Sequence, residues 1–100
     1  MNKTCVHDLK PNRMVALIEA TVVRTYPLSM KFAKKRWLPF RKIVIEDDSG
    51  LIVVKVWGLS ATEVLRGQQI QLEKAYCFTT NALLYLTLSK DSHLKICTQA

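Results

Sequence analysis

A five-stranded all-β barrel with one short helix between its third and fourth strands is the fold this chain predicts, on three observations. β-Branched runs of strand length recur along it, polar turns containing Asp, Asn, Ser or Gly separate them, and Leu59 to Gly67 carries helix-capping chemistry. One hundred residues make one domain, 1–100, able to bury roughly 60–70% of its unfolded surface. A hydrophobic content of 49% and a mean hydropathy of +0.07 are those of a globular chain. Its apolar runs are short and interrupted, far from the roughly 20 residues needed to span a bilayer. The opening MNKTCVHDLKPNR has no apolar region of the secretory-signal kind.

Residues 1–13 read as an irregular lead-in that closes one end of the barrel, with Val6 and Leu9 to pack and Pro11-Asn12 as a turn. VALIEATVVRT, Val15 to Thr25, is rich in Val, Ile and Thr. It is read as a long curved strand that changes partners halfway, in preference to a helix over 13–20. Tyr26 to Phe40, broken by Pro27 and Pro39, reads as a long basic first loop, 26–40.

The central stretch RKIVIEDDSGLIVVKVWG reads as a hairpin. Its turn runs from Glu46 to Gly50, where Gly50 is expected to supply a positive φ and Asp to fold onto the local backbone. Ile52, Val54 and Val56 alternate with Val53, Lys55 and Trp57, so one face is core and the other presents Lys and Trp. Ser60 and Glu63 form a capping box and Gly67 a C-cap, which predicts about two helical turns with Val64 and Leu65 facing the core. In QQIQLEKAYCFT, Ile70 and Leu72 point inward, and a bulge near Ala75 turns either Tyr76 or Cys77 inward. A turn at Thr80-Asn81-Ala82 leads to LLYLTLS, and a last short strand covers Leu94 to Cys97. This order of elements is the layout of an OB-fold Greek-key barrel.

The net charge is +7, and it is concentrated. Lys31, Lys34, Lys35, Arg36, Arg41 and Lys42 fall within thirteen residues that contain no acid, and the rest of the chain holds nine basic against eight acidic residues. A local excess of this kind is a polyanion footprint. Tyr26, Phe32, Trp37 and Phe40 are interleaved with it, and flat rings beside cations suit stacked bases and phosphates. For Phe32 the reading of a small satellite core under the loop weighs as much as contact.

Three cysteines, Cys5, Cys77 and Cys97, have neither pairing number nor metal-ligand spacing. They read as free, mostly buried thiols of a reducing, intracellular environment. His7 and His93 lie in polar contexts, Glu46, Asp47 and Asp48 read as turn formers rather than a metal site, and no nucleophile or phosphate-loop motif occurs. No catalysis, cofactor, metal or membrane contact is expected.

R-K-I-V-I-E-D-D-S-G-L-I-V-V-K-V-W-G followed by E-V-L-R-G-Q-Q-I-Q-L-E-K-A-Y is similar to the single-stranded-DNA-binding OB domains of the replication protein A and human SSB (SOSS complex) type. V-H-D-L-K-P-N resembles the V-x-D-I-K-P-G opening of the SSB branch. The likeness runs from Val6 to about Ile96 and is weakest in the basic loop. It implies a stacking role for Trp57 and Tyr76. The next family aromatics would fall near Thr80 and on Thr87, with Phe78 and Tyr85 close by, and the family's Gly-Asp pair reads Gly67-Gln68, so the chain is a divergent member of that pattern.

The sequence therefore predicts a nuclear protein that binds single-stranded nucleic acid, DNA before RNA on the resemblance, beside other protein subunits. The expected contacts are Arg24, Lys31, Lys34, Lys35, Arg36, Trp37, Arg41, Lys42, Lys55, Trp57, Tyr76, Phe78 and Tyr85. The alternative is a protein-interaction OB subunit of a telomere, repair or replication complex, docking through Leu83, Tyr85 and the loop aromatics.

Overall fold

The computed structural model describes residues 3–98; positions 1–2 and 99–100 of the expected domain lie outside the described residues. Among the described residues, a 3-10 turn, Val6–Asp8, precedes seven strands and one helix: β1 Arg13–Thr25, β2 Ser29–Ala33, β3 Arg36–Asp47, β4 Gly50–Trp57, α1 Leu59–Glu63, β5 Gln69–Thr80, β6 Leu83–Thr87 and β7 His93–Thr98. The sheet order β1-β3-β4-β6-β5 closes through a β1–β5 pairing. The β4–β6 pair is parallel and the rest of the barrel antiparallel. This is the OB barrel, with α1 between its third and fourth strands, β4 and β5; β2 extends β3 and β7 extends β5 as additions.

β1 changes partners as its length and mixed faces predict: Arg13 to Thr21 pair with β5, and Thr21 to Thr25 with β3. An irregularity between Val22 and Arg24 shifts the register there. The core is the inner set from these strands, with Ile18, Val22, Ile43, Ile45, Val54, Val56, Ile70, Leu72 and Leu86 essentially sealed from water. Val6 and Leu9 are buried, so the lead-in packs on the barrel. In β5 the alternation changes phase at Lys74, which takes φ 57°, and it is Cys77 that turns inward while Tyr76 faces out. β1 changes phase opposite it, at Ala16, so the β1–β5 register stays unbroken.

Four expectations are corrected. The stretch 26–40 is not a loop: β2 and the start of β3 form a hairpin with register Ser29↔Phe40 to Ala33↔Arg36, turned by Lys34 and Lys35 at φ 53° and 65°. Both residues in the left-handed region of a two-residue loop is the type I′ geometry that matches strand twist. Pro39 is tolerated within β3, where its carbonyl accepts the Gly58 N–H at 2.8 Å.

The helix is shorter than expected. Gly58, not Ser60, is its N-cap, there is no side-chain cap, and Val64 is already extended. Buried Gln68 explains the stop, because its Oε1 accepts the Leu65 N–H at 2.8 Å and so draws that donor away from the helical ladder. Val64 is buried as expected, but Leu65 is left exposed.

Gly50 does not occupy the positive-φ region; the glycines that do are Gly58 and Gly67. The turn is held instead by Asp47, whose Oδ1 accepts from the Ser49 N–H, the Ser49 hydroxyl and the Gly50 N–H. Finally, all three cysteines are free, but only Cys77 is buried; Cys5 and Cys97 are exposed.

Candidate nucleic-acid interface

Strand alternation sorts the outward side chains of β3, β4, β6 and β5 onto one continuous face. Phe40, Lys42 and Val44 on β3 stand opposite Trp57, Lys55 and Val53 on β4. Val53 and Lys55 pair in turn with Tyr85 and Thr87 on β6, which pair with Phe78 and Tyr76 on β5. The rings form a row. Tyr76 and Phe78 are stacked with centroids 6.3 Å apart, Phe78 and Tyr85 lie 6.0 Å apart, and the Lys55 ammonium rests 4.1 Å above the Tyr85 ring.

At the other end of the face Trp57 packs on buried Phe40 at 4.6 Å, and Lys31 of β2 lies 4.3 Å over Phe40. The β1 irregularity after Val22 turns Arg24 outward beside Val44, with its guanidinium 4.7 Å from the Tyr26 ring. Lys42 approaches the same ring at 6.0 Å. Cations over ring faces are held near the surface without neutralisation. Among the described residues, no acid lies within ion-pair distance of any of these cations; the ion pairs there are Lys3–Glu19 and His7–Asp8. The positive charge is therefore free to meet an external anion.

Beyond Trp57 the face dips into a groove of about 340 Å³ between the β2–β3 hairpin and the 88–92 segment. Trp57, Leu38 and Leu88 give it apolar walls, and Lys34, Arg36 and Lys90 bring three cations to it. Lys90 and Leu88 were not legible as site residues: the sequence signal around them, Lys90-Asp91-Ser92-His93, is only that of a polar turn.

Two of the expected contact residues lie elsewhere. The β3 register is unbroken, so Trp37 falls on the opposite side of the hairpin from Leu38 and Phe40, edge-on to Phe32 with centroids 5.6 Å apart. Arg41 has inward parity with Ile43, and its Nη1 donates to the Val64 carbonyl at 3.5 Å. Lys35 sits exposed at the hairpin tip, and the remaining expected residues share or border the ringed face.

One carboxyl and one thiol are perturbed away from this face. Burial pushes the Asp47 carboxyl up, but the Ser49 hydroxyl and the Val6, Ser49 and Gly50 N–H groups outweigh it and hold the pKa below the ordinary value. Burial alone raises the Cys77 thiol. Among the described residues no three His, Cys, Asp or Glu side chains come together to hold a metal, and no helix is long and apolar enough to cross a membrane.

The geometry defines an OB-fold barrel with a ringed, basic outer face. No protein-family model and no curated protein matches the chain. Solved structures do, among them OB domains of replication protein A and of Pot1. The second OB-fold domain of replication protein A from Methanococcus maripaludis is similar with a TM-score of 0.81 at 22% identity, covering 99% of this chain and 98% of that one. The replication factor A related protein from Methanobacterium thermoautotrophicum gives 0.79 at 13% identity, covering 96% and 91%. Pot1pC of Schizosaccharomyces pombe bound to ssDNA gives 0.71 at 8% identity, covering 97% and 87%. The chain is a divergent example of this fold.

Proposed function

We propose that the chain binds single-stranded nucleic acid, DNA in preference to RNA, along the face that runs from the Trp57 groove to Phe78, and does no chemistry on it. The observation that carries this reading is the ring row Tyr76, Phe78 and Tyr85, continuous with Lys55 and Trp57 and flanked by unpaired cations. Each stacked base contributes about 1–3 kcal/mol without regard to sequence, which suits a row of rings better than a pocket. Arg24, Lys31, Lys42 and Lys55 line the face, and Lys34, Arg36 and Lys90 line the groove, as phosphate partners. Lys35 adds charge at the hairpin tip. Trp37 and Arg41, which lie off this face, receive no contact in this reading. The choice of DNA rests on likeness to Pot1pC bound to ssDNA, and the assignment to a replication assembly with other subunits on likeness to a replication protein A heterotrimer bound to ssDNA; a nuclear place and a repair or telomere role are carried only by the sequence resemblance.

Anisotropy titrations of labelled oligo-dT, the matching RNA and a duplex at two salt concentrations test this. With about four phosphates neutralised, log K falls against log salt with a slope near −3, and affinity for oligo-dT is micromolar or better at low salt. Affinity that ignores salt, or no binding at low salt, contradicts the proposal.

A second reading has one observation in its favour. Leu51 and Leu83, 58% and 73% exposed, extend the row two residues beyond Val53 and Tyr85. An apolar end of this kind suits a protein partner docked on the same face. Under that reading Trp57→Ala and Tyr85→Ala abolish partner binding and leave oligonucleotide affinity intact.

A further inference from the structure

The reverse side of the β2–β3 hairpin is a second surface that the nucleic-acid reading leaves unused. Met30, Phe32 and Trp37 share that side, 53%, 62% and 65% exposed. Phe32 and Trp37 are direct cross-strand partners with their rings edge to face. Two aromatic rings and a methionine left in water on a two-stranded ribbon mark an interaction site more than a packing surface. β2 is also a sheet edge: among the described residues it pairs with β3 alone. Its outward N–H and C=O groups therefore have no strand beside them, and the strand Ser29–Ala33 itself contains neither proline nor bulge.

We propose that β2 is the docking edge for an extended, acidic segment of a partner protein, which adds to the hairpin as a third strand. Main-chain hydrogen bonds give such an addition its affinity, and alternate side chains give it specificity. The period-two geometry fixes the pattern: apolar residues on the Phe32 side, and Asp or Glu between them on the Lys31 side. Charge selects this occupant over a second copy of the chain. The hairpin carries Lys31, Lys34, Lys35 and Arg36 with no acid, so two hairpins edge to edge bring like charges together, while an acidic segment is drawn in. A lysine on an edge strand is a usual guard against self-pairing, and it admits a partner of opposite sign.

The test uses the full chain and a labelled peptide of about seven residues, the length β2 and its flanks can accept, alternating Glu with Val and Phe. Three control peptides carry Lys in place of Glu, the same residues in blocks, or methylated alternate amides. The alternating acidic peptide is expected to bind saturably and the Lys version not to bind. Amide methylation, segregation into blocks, Phe32→Ala and Trp37→Ala are each expected to weaken binding about tenfold or more. Both side chains are exposed, so both variants keep their melting temperature and their oligo-dT affinity. Absence of saturable binding, or binding indifferent to Trp37→Ala or to amide methylation, overturns the proposal. So does self-association through the hairpin in sedimentation, or a fall in oligo-dT affinity in Phe32→Ala or Trp37→Ala, which would assign the rings to nucleic acid.

Discussion

Two hairpins share β3, and they are built for different ends. The β3–β4 hairpin buries Ile43, Ile45, Ile52, Val54 and Val56 on its inner side, and its turn is locked by three hydrogen bonds to Asp47 Oδ1. Asp47 Oδ2 also accepts the Val6 N–H at 2.8 Å, which ties the lead-in to the same turn. The β2–β3 hairpin leaves most of its side chains in water and turns through two lysines at positive φ. Non-glycine residues in that region cost roughly 1 kcal/mol or more each, where Asn-Gly would be relaxed. The first hairpin is organised for stability. The second keeps charge and rings exposed against local preference, the usual mark of a surface selected for contact.

The widest separation between the two is in stability. Ile45→Ala empties a sealed core position and is expected to lower unfolding free energy by about 2–5 kcal/mol in urea melts. Phe32→Ala, on the other hairpin, is expected to stay within about 0.5 kcal/mol of the parent. A large loss at Phe32 would mean that the exposed hairpin is packed after all.

Asp47→Ala comes next, at about 1–3 kcal/mol, because it leaves the Val6, Ser49 and Gly50 donors without their acceptor. The same carboxylate sets a pH dependence. Its folded pKa lies below the ordinary value of about 3.9, so its contribution is complete above that value and is lost as pH falls through the lower, folded one. Thermal melts from neutral pH to pH 2 should lose stability over that acid window, and Asp47→Asn should flatten the loss. An unchanged acid limb in the variant would remove Asp47 from the account.

Oligonucleotide binding is expected to fall on the outward side of the same β3–β4 hairpin and on the neighbouring β6. Trp57→Ala and Tyr85→Ala are each expected to weaken oligo-dT binding by about 1–3 kcal/mol, roughly 5- to 150-fold, in anisotropy titrations. Replacing Lys34 and Lys35 together by Asn and Gly has a smaller effect and the most telling sign. Stability should rise by about 1 kcal/mol as the turn relaxes, while the salt slope of binding becomes shallower by about 1. Gain in both properties would show that the lysines do not serve the ligand.

What could be read from the sequence follows the same division. β3–β4 was legible because Ile, Val, Asp-Asp-Ser-Gly and the Lys55/Trp57 alternation all point to one structure. The β2–β3 hairpin was not, because Lys-Lys carries no turn signal and Pro39 argues against a strand. Missing that hairpin hid the strand parity, and parity alone separates Trp37 from Trp57 and Arg41 from Lys42. The helix end was misplaced because Gly67, at φ 94°, looked like a C-cap, while buried Gln68 in the next position had already ended the helix through the Leu65 amide. Tyr76 against Cys77 turned on the phase change at Lys74, which no local propensity announces.

A heteronuclear NMR titration of the chain with oligo-dT reports which face meets the strand. The largest shifts are expected at Lys55, the Trp57 indole, Phe78 and Tyr85, with Met30, Phe32 and Trp37 unmoved. Shifts gathered on the Phe32–Trp37 side, or spread without preference over the surface, would contradict it.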